Sequence, residues 1–157
     1  MSARMHAIVQ SAFGGPAVLI DGETDVPEPG PGEVLLRVAG VNPGDAVLRS
    51  GRVPLGSVAL PWTPGNDVSG IVERVSDGVT RFAPGDEVHG MLPVTRRGAY
   101  AEFTASPAGA LTPAPKNLDF VHAGAVPLVA VTAWQALVVP ARVRPGHRVL
   151  IHPASGT

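Results

Sequence analysis

Two short turns carry polar side chains that could take part in chemistry. Residues 40–51 and 61–70 are punctuated by glycine and proline, and they place Asn42 and Asn66 beside apolar strand patterns. Because glycine and proline restrict the backbone to particular φ values, such turns present a side chain at a defined angle. Two amides held in this way could contact a ligand, although the spacing fits a pair of ordinary surface β-turns equally well.

The last residues of the sequence contain a second possible binding feature. An apolar run at 148–152 predicts a strand, and Ala154, Ser155, Gly156 and Thr157 follow it. In dinucleotide-binding βαβ units, the first strand leads into a glycine-rich turn and a helix whose N-terminus binds the pyrophosphate. Ala154 and Gly156 match the opening of an AxGxxG turn. A strand followed by two small residues is common, so this match is weak by itself.

The ligand inventory argues against a metal site. The sequence has no cysteine, which excludes disulfides and thiolate-bound zinc. Its histidines share no ligand spacing and are interpreted as surface or strand-end residues; they are His6, His89, His122, His147 and His152.

Composition describes a globular chain of 157 residues with 45% hydrophobic residues and a net charge of −1. This apolar content disfavours disorder, and the charge provides no basic surface for nucleic acid or lipid. The first ten residues lack the apolar region of a secretory signal, and no 18-residue apolar run could span a bilayer. We therefore expect a cytoplasmic protein that binds neither nucleic acid nor membranes.

Many short strands separated by turn residues predict a mainly β domain, a closed or nearly closed antiparallel barrel. One helical turn is expected over 44–50. The predicted strands cover 5–10, 18–20, 33–41, 67–75 and 98–103, with a turn and strand over 82–89.

The pattern changes near residue 116, where we place a domain boundary between 1–116 and 117–157. Alanine- and valine-rich segments predict helices over 118–126 and 128–139, with Asp119 as an N-cap. A turn at 145–146 leads into the strand predicted over 148–152.

Together these motifs resemble the zinc-free medium-chain dehydrogenase/reductases of the quinone oxidoreductase branch. The two asparagine turns occur in the family's order, residues 84–86 resemble its GD turn, 98–103 its GGYAEY strand and 131–137 its TAYxAL helix. The resemblance extends from Met5 to Thr157 and covers the first half of such an enzyme. It implies a GroES-like barrel followed by helices and the first strand of a truncated Rossmann domain.

The resemblance implies NADPH-dependent reduction of quinones or α,β-unsaturated carbonyls. The zinc ligands of related alcohol dehydrogenases align with Asn42, Asn66 and Leu128, and two amides and an alkyl chain cannot replace two thiolates and an imidazole. Without a Lewis acid, alcohol oxidation loses its means of polarising the C–O bond. A conjugated carbonyl needs less help, because negative charge spreads onto its oxygen as hydride adds to carbon.

The same resemblance implies roles for individual residues. Asn42 would contact the nicotinamide or the substrate carbonyl, and Thr132 the nicotinamide amide. Residues 154–157 would bind the cofactor phosphates. The substrate pocket would include Val47, Trp62 and Asn66.

Val47 stands where many relatives have a tyrosine, so the proton for the enolate would come from water, Tyr100 or Asp45. Alternative roles remain open. Tyr100 could be a packing residue, Asp45 a helix cap, Asn42 an Asx-turn residue, and Thr132 a hydroxyl bonded to the preceding helical turn.

Two other interpretations concern charged residues. Asp67 is interpreted as a structural acceptor in a turn. Arg96 and Arg97 are interpreted as a pair of loop charges.

Two functional hypotheses follow. In the first, the chain is part of a zinc-independent reductase. In the second, it is a stand-alone barrel without redox activity that binds a small apolar ligand or a protein partner. A reading frame that continues beyond codon 157 favours the first, and a stop codon favours the second. An exposed apolar strand at 148–152 would need a partner, so we expect a homo-oligomer.

Overall fold

The computed structural model describes residues 3–39, 43–52, 59–93, 96 and 98–152. Within these ranges the chain is mainly β, which confirms the predicted fold class. The elements are β1 (Arg4–Gln10), β2 (Leu19–Asp25), β3 (Glu33–Ala39), α1 (Pro43–Arg49), β4 (Asp67–Val75), β5 (Glu87–Met91), β6 (Phe103–Pro107), β7 (Leu111–Pro113), α2 (Phe120–Gly124) and α3 (Pro127–Leu137).

The described strands form two antiparallel sheets. One has five strands in the order β6-β3-β4-β5-β7, and β1 pairs with β2 in the other. Residues 98–102 connect the two sheets: the N–H of Ile8 donates to the carbonyl of Tyr100 at 2.8 Å, and the N–H of Val38 donates to that of Glu102 at 3.1 Å. These backbone bonds join the two sheets into one continuous β structure.

Alternation in β3 and β4 produces the core. Val34 and Leu36 on β3 and Val68 and Val72 on β4 are each at most 1% exposed. The remaining core residues come from neighbouring strands and turns and are Phe82, Val88, Leu92, Ala99 and Leu111.

Two helices follow the strands, as the sequence predicts. The N-cap of α2 is confirmed, because the Asp119 carboxylate accepts the N–H of His122 at 2.9 Å. Helix α3 contacts β5 and β4, and Pro127 is the only one of its residues that is buried. The domain boundary near residue 116 stays a prediction.

Three structural expectations need correction. Residues 98–102 lie outside any regular strand and β6 begins only at Phe103, because their backbone bonds are divided between β1, β3 and the turn at Pro64. Helix α1 lies where a helical turn was expected over 44–50, but its seven residues make about two turns rather than one.

The third correction concerns residues 148–152, which form no strand. Leu150 is 91% exposed, and no other described strand pairs with this segment. An isolated segment cannot satisfy its backbone groups in a sheet ladder, so its apolar pattern alone does not produce a strand. None of the helices in the described ranges is long and apolar enough to cross a membrane.

Candidate active site

The fold brings together the two residues expected to supply a proton. The Tyr100 hydroxyl donates to Oδ2 of Asp45 at 3.0 Å, although the residues are 55 positions apart. Asp45 lies in the first turn of α1 and is 6% exposed, and Tyr100 is half-buried. A phenol held by a nearly buried carboxylate fits both a proton donor and a packing residue.

Gly65 creates the space for the Tyr100 ring. Its φ is +98°, and a Cβ at this position would lie 2.6 Å from Cδ1 of Tyr100 and 2.9 Å from Cβ of Ala99. The N–H of Tyr100 also donates to the carbonyl of Pro64 at 3.0 Å. The second asparagine turn is therefore joined directly to the segment that carries Tyr100.

Asn66 is buried directly before β4. It is 5% exposed, and its side-chain amide donates to the carbonyl of Leu92 at 3.2 Å. The N–H of Leu92 donates in return to the backbone carbonyl of Asn66 at 2.7 Å. The amide retains a second N–H and an acceptor oxygen, but its bond to Leu92 fixes its orientation.

The other two predicted pocket residues both lie near the turn at residues 13–15. Trp62 packs edge to face against Phe13, with ring centroids 6.3 Å apart. Val47 is 48% exposed and lines a depression of about 460 Å³ together with Gly14, Arg49 and neighbouring residues. Trp62 does not line this depression.

Thr132 lies on the exposed surface of α3. Its hydroxyl donates to the carbonyl of Leu128 at 2.7 Å, one turn earlier in the helix. This bond matches the structural alternative raised by the sequence. The hydroxyl oxygen still has lone pairs to accept a hydrogen bond from a ligand, so the two roles are compatible.

Five predicted cofactor residues lie outside the described residues. They are Asn42, Ala154, Ser155, Gly156 and Thr157.

Two residues have long-range partners that the sequence does not indicate. Asp67 is fully buried, and its Oδ1 accepts the N–H of Leu128 at 2.9 Å, 61 residues later in the chain. Arg96 forms an ion pair with Glu33, in which Nη2 of the arginine lies 2.7 Å from Oε1 of the glutamate. Asp67 is thus an acceptor for the first turn of a helix, and Arg96 is paired with a residue of β3.

The histidines largely occupy surface positions, with one exception. His89 lies in the middle of β5 and is half-buried, with Nδ1 3.4 Å from the carbonyl of Ala123. Among residues that the structure describes, no three His, Cys, Asp or Glu side chains are grouped closely enough to hold a metal ion.

Comparisons with known proteins define the class. The alcohol dehydrogenase GroES-like domain family matches residues 30–116, which is more than half of the chain. The protein therefore belongs to this family, and its resemblance to the medium-chain dehydrogenase/reductases is confirmed.

Individual relatives make the class more specific. The chain is 44% identical to quinone oxidoreductase from Rattus norvegicus over 158 residues, covering 97% of this chain and 46% of that protein. Human synaptic vesicle membrane protein VAT-1 homolog-like protein matches with a TM-score of 0.84 and 33% identity, over 90% of this chain and 45% of that one. A mycobacterial protein complexed with NADPH matches with a TM-score of 0.79 and 36% identity, over 90% of this chain and 43% of that one. The chain thus spans about half the length of its relatives.

Proposed function

We propose that the protein is a zinc-independent, NADPH-dependent reductase of quinones or other α,β-unsaturated carbonyl compounds. The relative from Rattus norvegicus is a quinone oxidoreductase, and a structural neighbour binds NADPH. Because the chain spans about half of these proteins, the activity of the whole protein is part of the proposal.

The observation that carries the proposal is the chemistry of Asn66. The motif resemblance aligns this residue with a ligand position of the zinc-binding relatives. Asn66 is almost fully buried and uses its amide to bond Leu92. A carboxamide is a poor substitute for the imidazole or thiolate that zinc prefers. The site therefore favours a substrate whose carbonyl is already activated by conjugation.

Thr132, at the surface of α3, fits a contact with the nicotinamide ring. The carboxamide of that ring has N–H donors, and the Thr132 oxygen can accept one of them while its own proton remains on Leu128. When bound, NADPH supplies the hydride for the reaction.

Tyr100 and Asp45 would deliver the proton. The Asp45 carboxylate positions the phenol by accepting its O–H. For the transfer, this single O–H turns from Asp45 to the enolate oxygen and gives up its proton there, and the phenolate recovers a proton from solvent. A positioned acid of this kind contributes about 10²- to 10⁴-fold to a rate. The surface position of Val47 is consistent with its lack of a role in this transfer.

The test is a steady-state assay of NADPH oxidation with a quinone and with an enone. We expect Tyr100→Phe to lower kcat by at least about tenfold while KM for NADPH changes little. Asp45→Asn should have a smaller effect, and Asp21→Asn, which changes an exposed carboxylate on β2, should have none. An unchanged kcat in Tyr100→Phe would exclude this proton donor.

NADPH titration separates the proposal from its alternative. Binding of NADPH together with turnover of either substrate supports the reductase. Absence of both in the purified protein favours a GroES-like domain that binds an apolar ligand or a protein partner without redox chemistry.

The proposal includes self-association and a cytoplasmic location. Self-association is supported by exposed apolar side chains in the C-terminal region, among them Trp134, Leu150 and Ile151. Light scattering on the purified protein tests it: we expect a dimer or larger assembly that Leu150→Glu weakens. A monomer at all concentrations would contradict it. The lack of cysteine is compatible with a reducing compartment.

A further inference from the structure

We propose that Asp67 is a positioning residue that sets helix α3, and with it Thr132, relative to the substrate turn at Asn66. The inference rests on the proposed function, because it assigns Asp67 a part in binding the nicotinamide cofactor. Asp67 is the first residue of β4 and directly follows Asn66. It is fully buried, so its carboxylate is fixed by the barrel.

The contact is made at the point where α3 begins. Leu128 is the second residue of the helix, and its N–H belongs to the first turn, which has no partner within a helix. Asp67 supplies the acceptor at 2.9 Å. The residue that precedes the helix, Val126, provides no side-chain cap. A carboxylate at this end is also favoured by the helix dipole.

The backbone of Leu128 connects Asp67 with Thr132. The N–H of Leu128 donates to Asp67, and the carbonyl of Leu128 accepts the Thr132 hydroxyl at 2.7 Å. The N–H of Leu128 is therefore bonded to Asp67 and its carbonyl to the predicted cofactor residue. A displacement of the Leu128 backbone would move the Thr132 hydroxyl as well.

Little packing along the rest of α3 could replace this bond. Only Pro127 is buried in the helix, and Val129, Val131 and Trp134 are 43–65% exposed. The helix is consequently attached through its first turn. Loss of the Asp67 bond should loosen the whole helix, and a loosened contact residue lowers ligand affinity.

The test compares Asp67→Ala with Asp67→Asn and with a matched control. Asparagine keeps an acceptor oxygen for Leu128 and loses the charge, whereas alanine loses both. Asp119→Ala is the control, because Asp119 accepts an N–H in the first turn of α2 at 2.9 Å and that helix carries no predicted cofactor residue.

Two measurements are made on each purified variant: the dissociation constant for NADPH by calorimetry and amide hydrogen exchange along α3. We expect Asp67→Ala to raise the dissociation constant by about tenfold and to speed exchange in α3. Asp67→Asn should recover most of both, and Asp119→Ala should change neither.

Each contrary outcome has a distinct meaning. Unchanged exchange in α3 for Asp67→Ala would overturn the inference whether or not NADPH binds. Faster exchange with an unchanged dissociation constant would reduce Asp67 to a purely structural role and would also overturn the inference.

If the unaltered protein does not bind NADPH, the proposed function fails together with the inference. That result is obtained before any variant is compared. If Asp67→Ala does not fold, Asp67→Asn decides: exchange and affinity close to those of the unaltered protein support the inference, and faster exchange at unchanged affinity overturns it.

Discussion

The β structure and the segment after residue 127 are both rich in apolar residues, but only the first buries them. Leu36 on β3 is fully buried and Leu150 is 91% exposed. Leu36 lies in a core cluster to which β3, β4, β5 and β7 all contribute, so its side chain is enclosed. The C-terminal segment has no comparable neighbours among the described residues. Apolar composition therefore creates a tendency to be buried, and packed neighbours decide whether burial occurs.

Polar groups show the same contrast. In the β structure, Asp67 and Asn66 are buried and each has a defined backbone partner. Beyond α3, the polar contacts of the C-terminal segment are local and exposed, as in the bond between Arg144 N–H and His147 Nδ1. Long-range hydrogen bonds thus accompany apolar burial. The following predictions test this difference with matched pairs of residues.

The largest effect is expected for Leu36→Ala compared with Leu150→Ala. Removal of a fully buried leucine side chain costs about 2–5 kcal/mol of unfolding free energy, whereas the same change at an exposed position costs less than about 0.5 kcal/mol. Urea unfolding followed by circular dichroism measures both, at a protein concentration low enough to dissociate the proposed assembly. A large loss for Leu150→Ala in the dissociated protein would remove the contrast.

The next effect is expected at Gly65, with Gly85 as its control. Both glycines have nearly equal φ values, +98° and +96°, but an added Cβ meets Tyr100 and Ala99 only at Gly65. We expect Gly85→Ala to cost about 1 kcal/mol from backbone strain and Gly65→Ala about 2–3 kcal/mol.

A double-mutant cycle with Tyr100→Ala identifies the cause of the excess at Gly65. The second change should recover part of it, because the ring that meets the new Cβ is removed. Equal costs for Gly65→Ala and Gly85→Ala would show that Tyr100 is free to move away.

A smaller effect is expected for Arg96→Ala compared with Arg74→Ala. The two arginines have similar side-chain exposure, 51% and 49%, but their partners differ: Glu33 is 9% exposed and Glu28 is 76% exposed. Arg96→Ala leaves a nearly buried carboxylate without its cation and should cost about 1–2 kcal/mol. Arg74→Ala should cost less than about 0.5 kcal/mol, and equal losses would contradict this.

The smallest effect is expected from Asp119 in the exposed cap of α2. The backbone N–H and the ring of His122 both bond its carboxylate and lower the pKa of Asp119 below its ordinary value of 3.8. The folded state therefore favours the ionised form. The cap stabilises the protein fully above pH 3.8, and this contribution is lost as the pH falls through the folded pKa.

Unfolding free energy measured against pH in the unaltered protein and Asp119→Ala tests this sign. The difference between the two proteins should be present near neutral pH and disappear in acid. A difference that persists below the folded pKa would assign the effect to something other than the ionised carboxylate.

Local patterns predicted much of the fold. Strand β3 was predicted from an apolar run bounded by turn residues and β4 from alternating residues, and the structure places them at Glu33–Ala39 and Asp67–Val75. The α2 cap follows from an aspartate before an apolar segment and was found at Asp119. Family motifs supplied Tyr100 and Asp45 as candidates, but no pattern indicated that they bond to each other.

The sequence by itself determined the mainly β class, the positions of most turns and the capping of α2, because these depend on residues a few positions apart. Only the tertiary structure decided that Tyr100 meets Asp45, that Asp67 holds α3 and that Arg96 pairs with Glu33. These partners are 55 to 63 residues apart in the chain. They meet because the sheets and the helices of this fold bring distant segments together, and a side chain contains no information about a partner until that packing exists. The same reason explains 148–152, where an apolar pattern without a neighbouring strand remains exposed.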